Sequence, residues 1–138
     1  MPAITFLNNP TPEQIEQIIL LYRAEGWWTQ GPFDPEYVAR IITGSHCFII
    51  ATVGEEIVGM GRAVSDRISD AYLQDVTVKK EYRGRKIGKR MVQSLLSRLD
   101  DDGITWVGLI AERGSHEFYR RLGFNRMEAS VPMLKITP

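Results

Sequence analysis

Positive charge in this chain is gathered at the point where a helix is about to begin. Between Lys79 and Arg90 stand seven Lys or Arg and one acid, Glu81, although the whole chain balances 17 basic against 17 acidic residues. The run Tyr82-Arg83-Gly84-Arg85-Lys86-Ile87-Gly88-Lys89-Arg90 follows a strand-like segment and opens an amphipathic helix pattern. The first N–H groups of a helix lack an internal partner and carry partial positive charge, so they suit an anion. Gly84 and Gly88 remove side chains that would hold a ligand or a neighbouring backbone away. A plain solvated helix start is the competing reading. Cations there cost about 0.3–1 kcal/mol each at low salt, so that reading leaves the cluster without a purpose. The segment reads as a phosphate-binding turn. It is neither GxxxxGK[ST], which needs Ser or Thr after the lysine, nor GxGxxG.

Composition narrows the classes further. A chain of 138 residues fits one domain, 1–138, with a single core. Apolar runs fall well short of the ~18 residues that span a bilayer, so no membrane partner is expected. The start, MPAITFLNNPTPEQ, lacks the basic and apolar stretches of a leader, which makes cytoplasmic the default. A lone cysteine, Cys47, excludes an internal disulfide framework. Two histidines and one cysteine argue against zinc, and although carboxylates alone could hold magnesium, no metal site is expected. His46, Cys47 and His116 read as structural singletons. Neutral net charge argues against a nucleic-acid partner, although the basic patch taken alone leaves that class open.

The hydrophobic pattern orders the elements. Ala3 to Leu7 is a short strand. Thr11-Pro12-Glu13-Gln14 carries a capping box with proline at the first helical position, and Ile15, Ile18, Ile19 and Tyr22 then fall on one face. Gly26 ends that helix. Asp34-Pro35 repeats the signal, with Val38, Ile41 and Ile42 inside and Gly44 as the stop. Cys47–Val53 and Ile57–Val64 form a hairpin around Gly54-Glu55-Glu56, and Ala71–Val78 is the next strand, with Leu73, Val76 and Val78 as its apolar positions. A helix from about Arg85 to Asp100 buries Ile87, Met91, Val92, Leu95 and Leu99. Thr105–Ala111 is a strand for the middle of a sheet, Ser115–Leu122 a short helix stopped by Gly123, and one or two strands follow around Val131 to Ile136. The fold class is α/β, one mixed, mostly antiparallel twisted sheet flanked by helices.

The second constellation is Glu117-Phe118-Tyr119-Arg120-Arg121-Leu122-Gly123-Phe124. Alone it is a helix terminus, with Phe118 and Leu122 inward and Gly123 as the C-terminal cap. Paired with the phosphate turn, in order and spacing from Cys47 to Phe124, it resembles the GNAT superfamily of acetyl-CoA-dependent N-acetyltransferases. In that family the turn is written [QR]-x-x-G-x-[GA]; Arg83, Ile87 and Gly88 fit, and Lys86 stands at the middle glycine. Coenzyme A binding is expected to survive if Lys86 keeps helical φ. The early loop asparagine of the family falls on Glu112 here.

The resemblance implies a fold with splayed central strands and a set of roles. Acetyl-CoA is the co-substrate, its diphosphate on Arg83, Gly84, Arg85, Lys86, Ile87, Gly88 and Lys89. Its pantetheine arm pairs with the edge of Val76, Thr77 and Val78, and an N–H near Val76 serves as oxyanion donor. Tyr119 is the implied general acid. Asp70, Tyr72, Gln74 and Asp75 are candidate bases, with Asp75 favoured. Adjacent Trp27 and Trp28, beside Glu25, cannot both face one core; one of them and Glu25 would suit an amine bearing an apolar group. GMGRAVSD, Gly59 to Asp66, also resembles the arylalkylamine N-acetyltransferases. The leading expectation is a small-molecule primary amine as acceptor, with a protein N-terminus or lysine, or a non-catalytic CoA sensor, as alternatives. An edge strand from the VPMLK segment would allow a homodimer.

Overall fold

The computed structural model describes residues 1–28 and 34–138. Its elements are β1 (Ala3–Phe6), α1 (Pro12–Ala24), α2 (Pro35–Gly44), β2 (Cys47–Val53), β3 (Glu56–Ser65), β4 (Asp70–Val78), α3 (Ile87–Asp101), β5 (Trp106–Gly108) and α4 (His116–Arg120), with a 3-10 turn at Lys80–Tyr82. The strands form one sheet in the order β1-β2-β3-β4-β5, antiparallel except for the parallel β4–β5 pair. A parallel pair needs a crossover, and α3 supplies it.

Local chemistry starts and stops the helices as the sequence suggests. Thr11 closes its capping box, with Gln14 N donating to Thr11 Oγ1 at 3.2 Å and Thr11 N donating to Gln14 Oε1 at 2.9 Å. Asp34 Oδ1 accepts from Tyr37 N at 2.8 Å. Three helices share one ending. After α1, Trp27 N donates to the Tyr22 carbonyl and Gly26 N to that of Arg23. After α3, Ile104 and Gly103 do the same to Leu99 and Asp100, and after α4, Phe124 and Gly123 to Tyr119 and Arg120. Each is a glycine at positive φ followed by an apolar residue that folds back on its helix.

Two apolar layers sandwich the sheet. Ile87, Met91, Val92, Leu95 and Leu99 of α3 pack on Ile49, Val58, Ala71 and Leu73. Ile15, Ile18, Ile19, Tyr22, Val38 and Ile42 of α1 and α2 cover Phe48, Ile50, Ile57 and Met60 on the other face.

One irregularity in β4 decides which side chains reach which layer. Met60 stands opposite Thr77 and Arg62 opposite Gln74, so β3 passes Gly61 where β4 passes Asp75 and Val76. This is a β-bulge, with Asp75 at φ 59°. The extra residue shifts the alternation. Ala71 and Leu73 face α3 before it, Val76 and Val78 face α3 after it, and Asp75 and Thr77 turn to the opposite face. The three-residue step from Leu73 to Val76 is the trace of this bulge in the sequence.

Two expected elements differ. β5 covers three residues rather than Thr105–Ala111, because its ladder with β4 stops at the Tyr72–Gly108 pair. The strands expected around Val131 to Ile136 do not form. Residues 125–138 are exposed, with Met133 at 90% and Leu134 at 84%. The short β5 offers little edge to pair with, and Pro132 has no amide hydrogen to give a ladder. The edge strand that a homodimer was expected to use is therefore not present in the single chain.

The bulge needs a small residue across from it. A Cβ on Gly61 would sit 3.2 Å from Val76 Cγ2 and 3.5 Å from Leu95 Cδ1. Gly61→Val should lower stability by about 1–3 kcal/mol in urea unfolding, through overpacking between β4 and α3. An unchanged midpoint would show that the bulge tolerates a side chain opposite it.

Candidate active site

Beyond Tyr72, β4 runs on without β5, and the two strands diverge. The gap is a cleft of about 1100 Å³. One wall is Leu73 to Val78, the other Leu109, Ile110, Glu112 and Arg113. α3 begins at one end of it, and Phe118, Tyr119 and Leu122 of the α4 segment close the side. The splayed strands expected from the resemblance are present.

The turn into α3 is built on two left-handed residues, Gly84 at φ 79° and Lys86 at φ 64°. Lys86 therefore does not keep the helical φ expected of it. The chain must reverse between the 3-10 turn and α3, and the reversal places Lys86 at the N-cap position in αL geometry. It gives no side-chain cap. The N–H groups of Ile87, Gly88 and Lys89, the first turn of α3, are thus left without a capping side chain. Arg83, Gly84, Lys86, Ile87, Gly88 and Lys89 all line the cleft. Arg85 does not; its guanidinium lies over the Tyr82 ring, 5.2 Å from the centroid. Gly88 faces Phe118 of α4, and a Cβ there would meet Phe118 Cζ at 3.4 Å, an ordinary packing contact.

Tyr119 is fixed from two directions. Its carbonyl accepts the Phe124 N–H at 3.1 Å, and its ring stands edge-on to Phe118 at 4.9 Å and to Phe124 at 5.7 Å. The Leu122-Gly123-Phe124 ending of α4 thus orients the tyrosine. Burial holds its hydroxyl above the usual tyrosine range, so it stays protonated through neutral and mildly alkaline pH.

Asp75 projects from the bulge onto the α1 face. Its Oδ2 accepts from the Tyr22 hydroxyl at 2.7 Å and from Arg62 Nε at 2.6 Å. Burial, then the Asp75 charge, pushes the Tyr22 hydroxyl well above the usual tyrosine range. Tyr22 in turn stacks flat on Trp28, centroids 3.9 Å apart, and edge-on to Trp27 at 6.0 Å. Contrary to the expectation that they cannot share one core, both tryptophans pack against the α1–α2 layer, and Trp27 also lines the cleft.

Glu25 is held from both walls. Arg83 Nη2 donates to Oε1 at 2.9 Å, Arg113 Nη1 to Oε2 at 2.8 Å, and Thr77 Oγ1 to Oε1. Arg62, Arg113 and the Tyr22 hydroxyl are site groups that the sequence reading left out. Arg62 carried a signal, being a lone cation inside an apolar strand; Arg113 carried none. Asp70, Tyr72 and Gln74 lie on β4, and of these Tyr72 and Gln74 line the cleft. Glu112 lines it too, its carbonyl accepting Ser115 N at 3.0 Å.

The three singletons lie elsewhere. His46 Nε2 meets Asp102 Oδ2 at 2.7 Å, and Cys47 is buried beside it in the chain, its thiol pushed up to about 11 by burial. His116 starts α4, exposed and outside the cleft lining. Among the described residues, no three His, Cys, Asp or Glu side chains gather as a metal site would require.

The sequence model of the acetyltransferase (GNAT) family matches residues 13–124, which takes in every wall of this cleft. The chain belongs to that family. It is 37% identical over 70 residues to GCN5-related N-acetyltransferase 2, chloroplastic, of Arabidopsis thaliana, covering 51% of this chain and 27% of that one. The chain spans under a third of the length of such curated relatives. A GNAT-family acetyltransferase of Streptococcus pneumoniae superposes with a TM-score of 0.81 at 26% identity, over 99% of this chain and 98% of that one. An aminoglycoside 6'-N-acetyltransferase solved with coenzyme A shares the fold, with a TM-score of 0.76 at 18% identity over 88% and 83% of the two chains.

Lys86 is a non-glycine residue in αL geometry, which costs about 1–2 kcal/mol. Lys86→Gly should raise stability by about 0.5–1 kcal/mol, since glycine returns about 0.4–1 kcal/mol to unfolded-chain entropy. The urea midpoint reads this directly, and a fall in the midpoint would deny that the turn is strained.

Proposed function

We propose that the protein transfers the acetyl group of acetyl-CoA to a primary amine by direct attack. The observation that carries this reading is the meeting, in one cleft, of an uncapped helix start with its cations and a half-buried tyrosine hydroxyl. The residues present fit coenzyme A. A diphosphate finds the amides of Ile87, Gly88 and Lys89 with Arg83, Lys86 and Lys89 around them. A pantetheine arm finds the edge of β4 from Val76 to Val78, which β5 leaves open. A backbone N–H near Val76 can then stabilise charge on the thioester oxygen.

In the reaction the amine nitrogen forms a bond to the acetyl carbon and the carbon–sulfur bond breaks. Asp75, with Oδ1 outside its bonds to Tyr22 and Arg62, is the carboxylate placed to take the proton from the ammonium. Tyr119 gives its proton to the departing thiolate, and the proton shed by the attacking nitrogen restores the Tyr119 hydroxyl; a free thiol titrates near ~8.5 and the buried tyrosine lies above its usual ~10, so the phenolate forms only in passing. A small amine is favoured as acceptor by the aromatic rings of Trp27 and Tyr72, which line the same cleft as Asp75. A protein amine is the second reading, favoured by Tyr72 at 46% and Trp106 at 41% exposure beside the mouth, where an extended segment could lie.

Thiol release from acetyl-CoA, followed across a panel of small amines and lysine-containing peptides, separates the two acceptors and detects a non-catalytic CoA binder by silence throughout. Tyr119→Phe should lower kcat about 10²–10⁴-fold with coenzyme A affinity nearly unchanged; an unaltered kcat refutes its role. Because the Tyr119 hydroxyl lies above the ordinary tyrosine range, its loss of a proton should cut kcat only above about pH 10. An alkaline fall in kcat centred near pH 8 would assign the acid to another group.

A further inference from the structure

Glu25 stands between the two walls of the cleft, and its bonds to them are unequal. Arg113 grips it twice, through Nη1 on Oε2 at 2.8 Å and through Nη2 on the Glu25 carbonyl at 2.7 Å. Arg83 reaches it once, through Nη2 on Oε1 at 2.9 Å, while its Nε donates to the Val78 carbonyl at 2.9 Å. Glu25 itself cannot drift. It is the C-cap of α1, just before Gly26, and its side chain is only 14% exposed. The Arg83 side chain is 55% exposed and sits at the threshold of the uncapped α3 amides.

A diphosphate arriving at those amides carries two or more negative charges and meets a guanidinium held by a single carboxylate bond. Anchored at Nε, that guanidinium needs only a turn of its end to change partners. Arg113 has both of its bonds on Glu25, so leaving would cost it both at once, whereas Arg83 keeps its Val78 bond as it turns. We propose that Glu25 is a positioning residue, an internal anion that parks the Arg83 guanidinium until the cofactor diphosphate takes it over, while Arg113 keeps Glu25 in place. The proposal rests on the reading of the cleft as a coenzyme A site. Its consequence is an order of events. Once Arg83 has left, Glu25 keeps Arg113 on Oε2 and the Thr77 hydroxyl on Oε1, and the place on Oε1 that Arg83 had filled is open to an acceptor ammonium. The acceptor meets a second carboxylate only after the cofactor has bound.

Calorimetric titration of coenzyme A itself tests the exchange. Glu25→Gln should bind coenzyme A about threefold to tenfold more tightly than the unchanged protein, because Arg83 no longer has to be taken from a carboxylate. Arg83→Met should weaken binding, and adding Glu25→Gln to it should bring no further gain. Glu25→Asp keeps the charge but is one methylene short of Arg83, so it should tighten binding as well; it also serves if the glutamine variant does not fold. An unchanged or weakened affinity in both Glu25 variants overturns the proposal. So does an equal gain in the Arg83→Met background, which would mean general repulsion rather than exchange. Absence of any coenzyme A binding by the unchanged protein would instead remove the cofactor reading itself.

Discussion

The ladder between β4 and β5 ends at the pair of Tyr72 and Gly108, and most of the candidate site follows from that stop. Two parallel strands that stayed together would leave no edge for a ligand and no gap for one to enter. By parting, they expose the β4 edge from Leu73 to Val78 to a cavity rather than to a neighbour. Unpaired backbone groups in such a gap must find partners or water, so the opening is tolerable only because it is wide and polar at one end. α3 is the crossover that a parallel pair demands, so its start is carried to the mouth of the gap by topology. The uncapped amides and the open strand edge are two outcomes of one arrangement.

A second economy lies in how the helices end. The Gly-Trp, Gly-Ile and Gly-Phe pairs after α1, α3 and α4 each fold an apolar side chain back against the last turn. After α1 this fixes Trp27 on Tyr22 and leaves Glu25 facing both walls. After α4 it sets the Tyr119 ring against Phe124. Both candidate side chains are positioned by the chemistry that stops a helix, so their placement needs no loop of its own.

Much of this was legible in the sequence, and the failures have physical causes. The capping box at Thr11, the Asp34 cap, the apolar face of α3 and the Gly123 stop of FYRRLGF are local signals, and each formed as read; Phe118, expected inward, is instead exposed and lines the cleft. The turn from Arg83 to Gly88 was also local, except that its φ at Lys86 depends on the direction in which α3 must leave, which no residue type dictates. The bulge was visible only as an apolar step of three between Leu73 and Val76, easily read as an ordinary strand. The partners of Asp75 and Glu25 were out of reach. Arg62 is 13 residues from Asp75, and Arg113 is 88 from Glu25, so only the assembled sheet brings them together. β5 and the tail were overextended for the same reason: a β-prone run becomes a strand only where a neighbour supplies the ladder.

The tail beyond Phe124 leaves Val131, Met133, Leu134 and Ile136 facing water, each at least 77% exposed. Greasy, extended chain of this kind is the raw material of fibrous stacking, yet two residues interrupt it. Pro132 withholds a donor, and Lys135 adds a charge that identical neighbours would have to lay on top of itself. Both residues oppose the stacking of one copy of this segment on another.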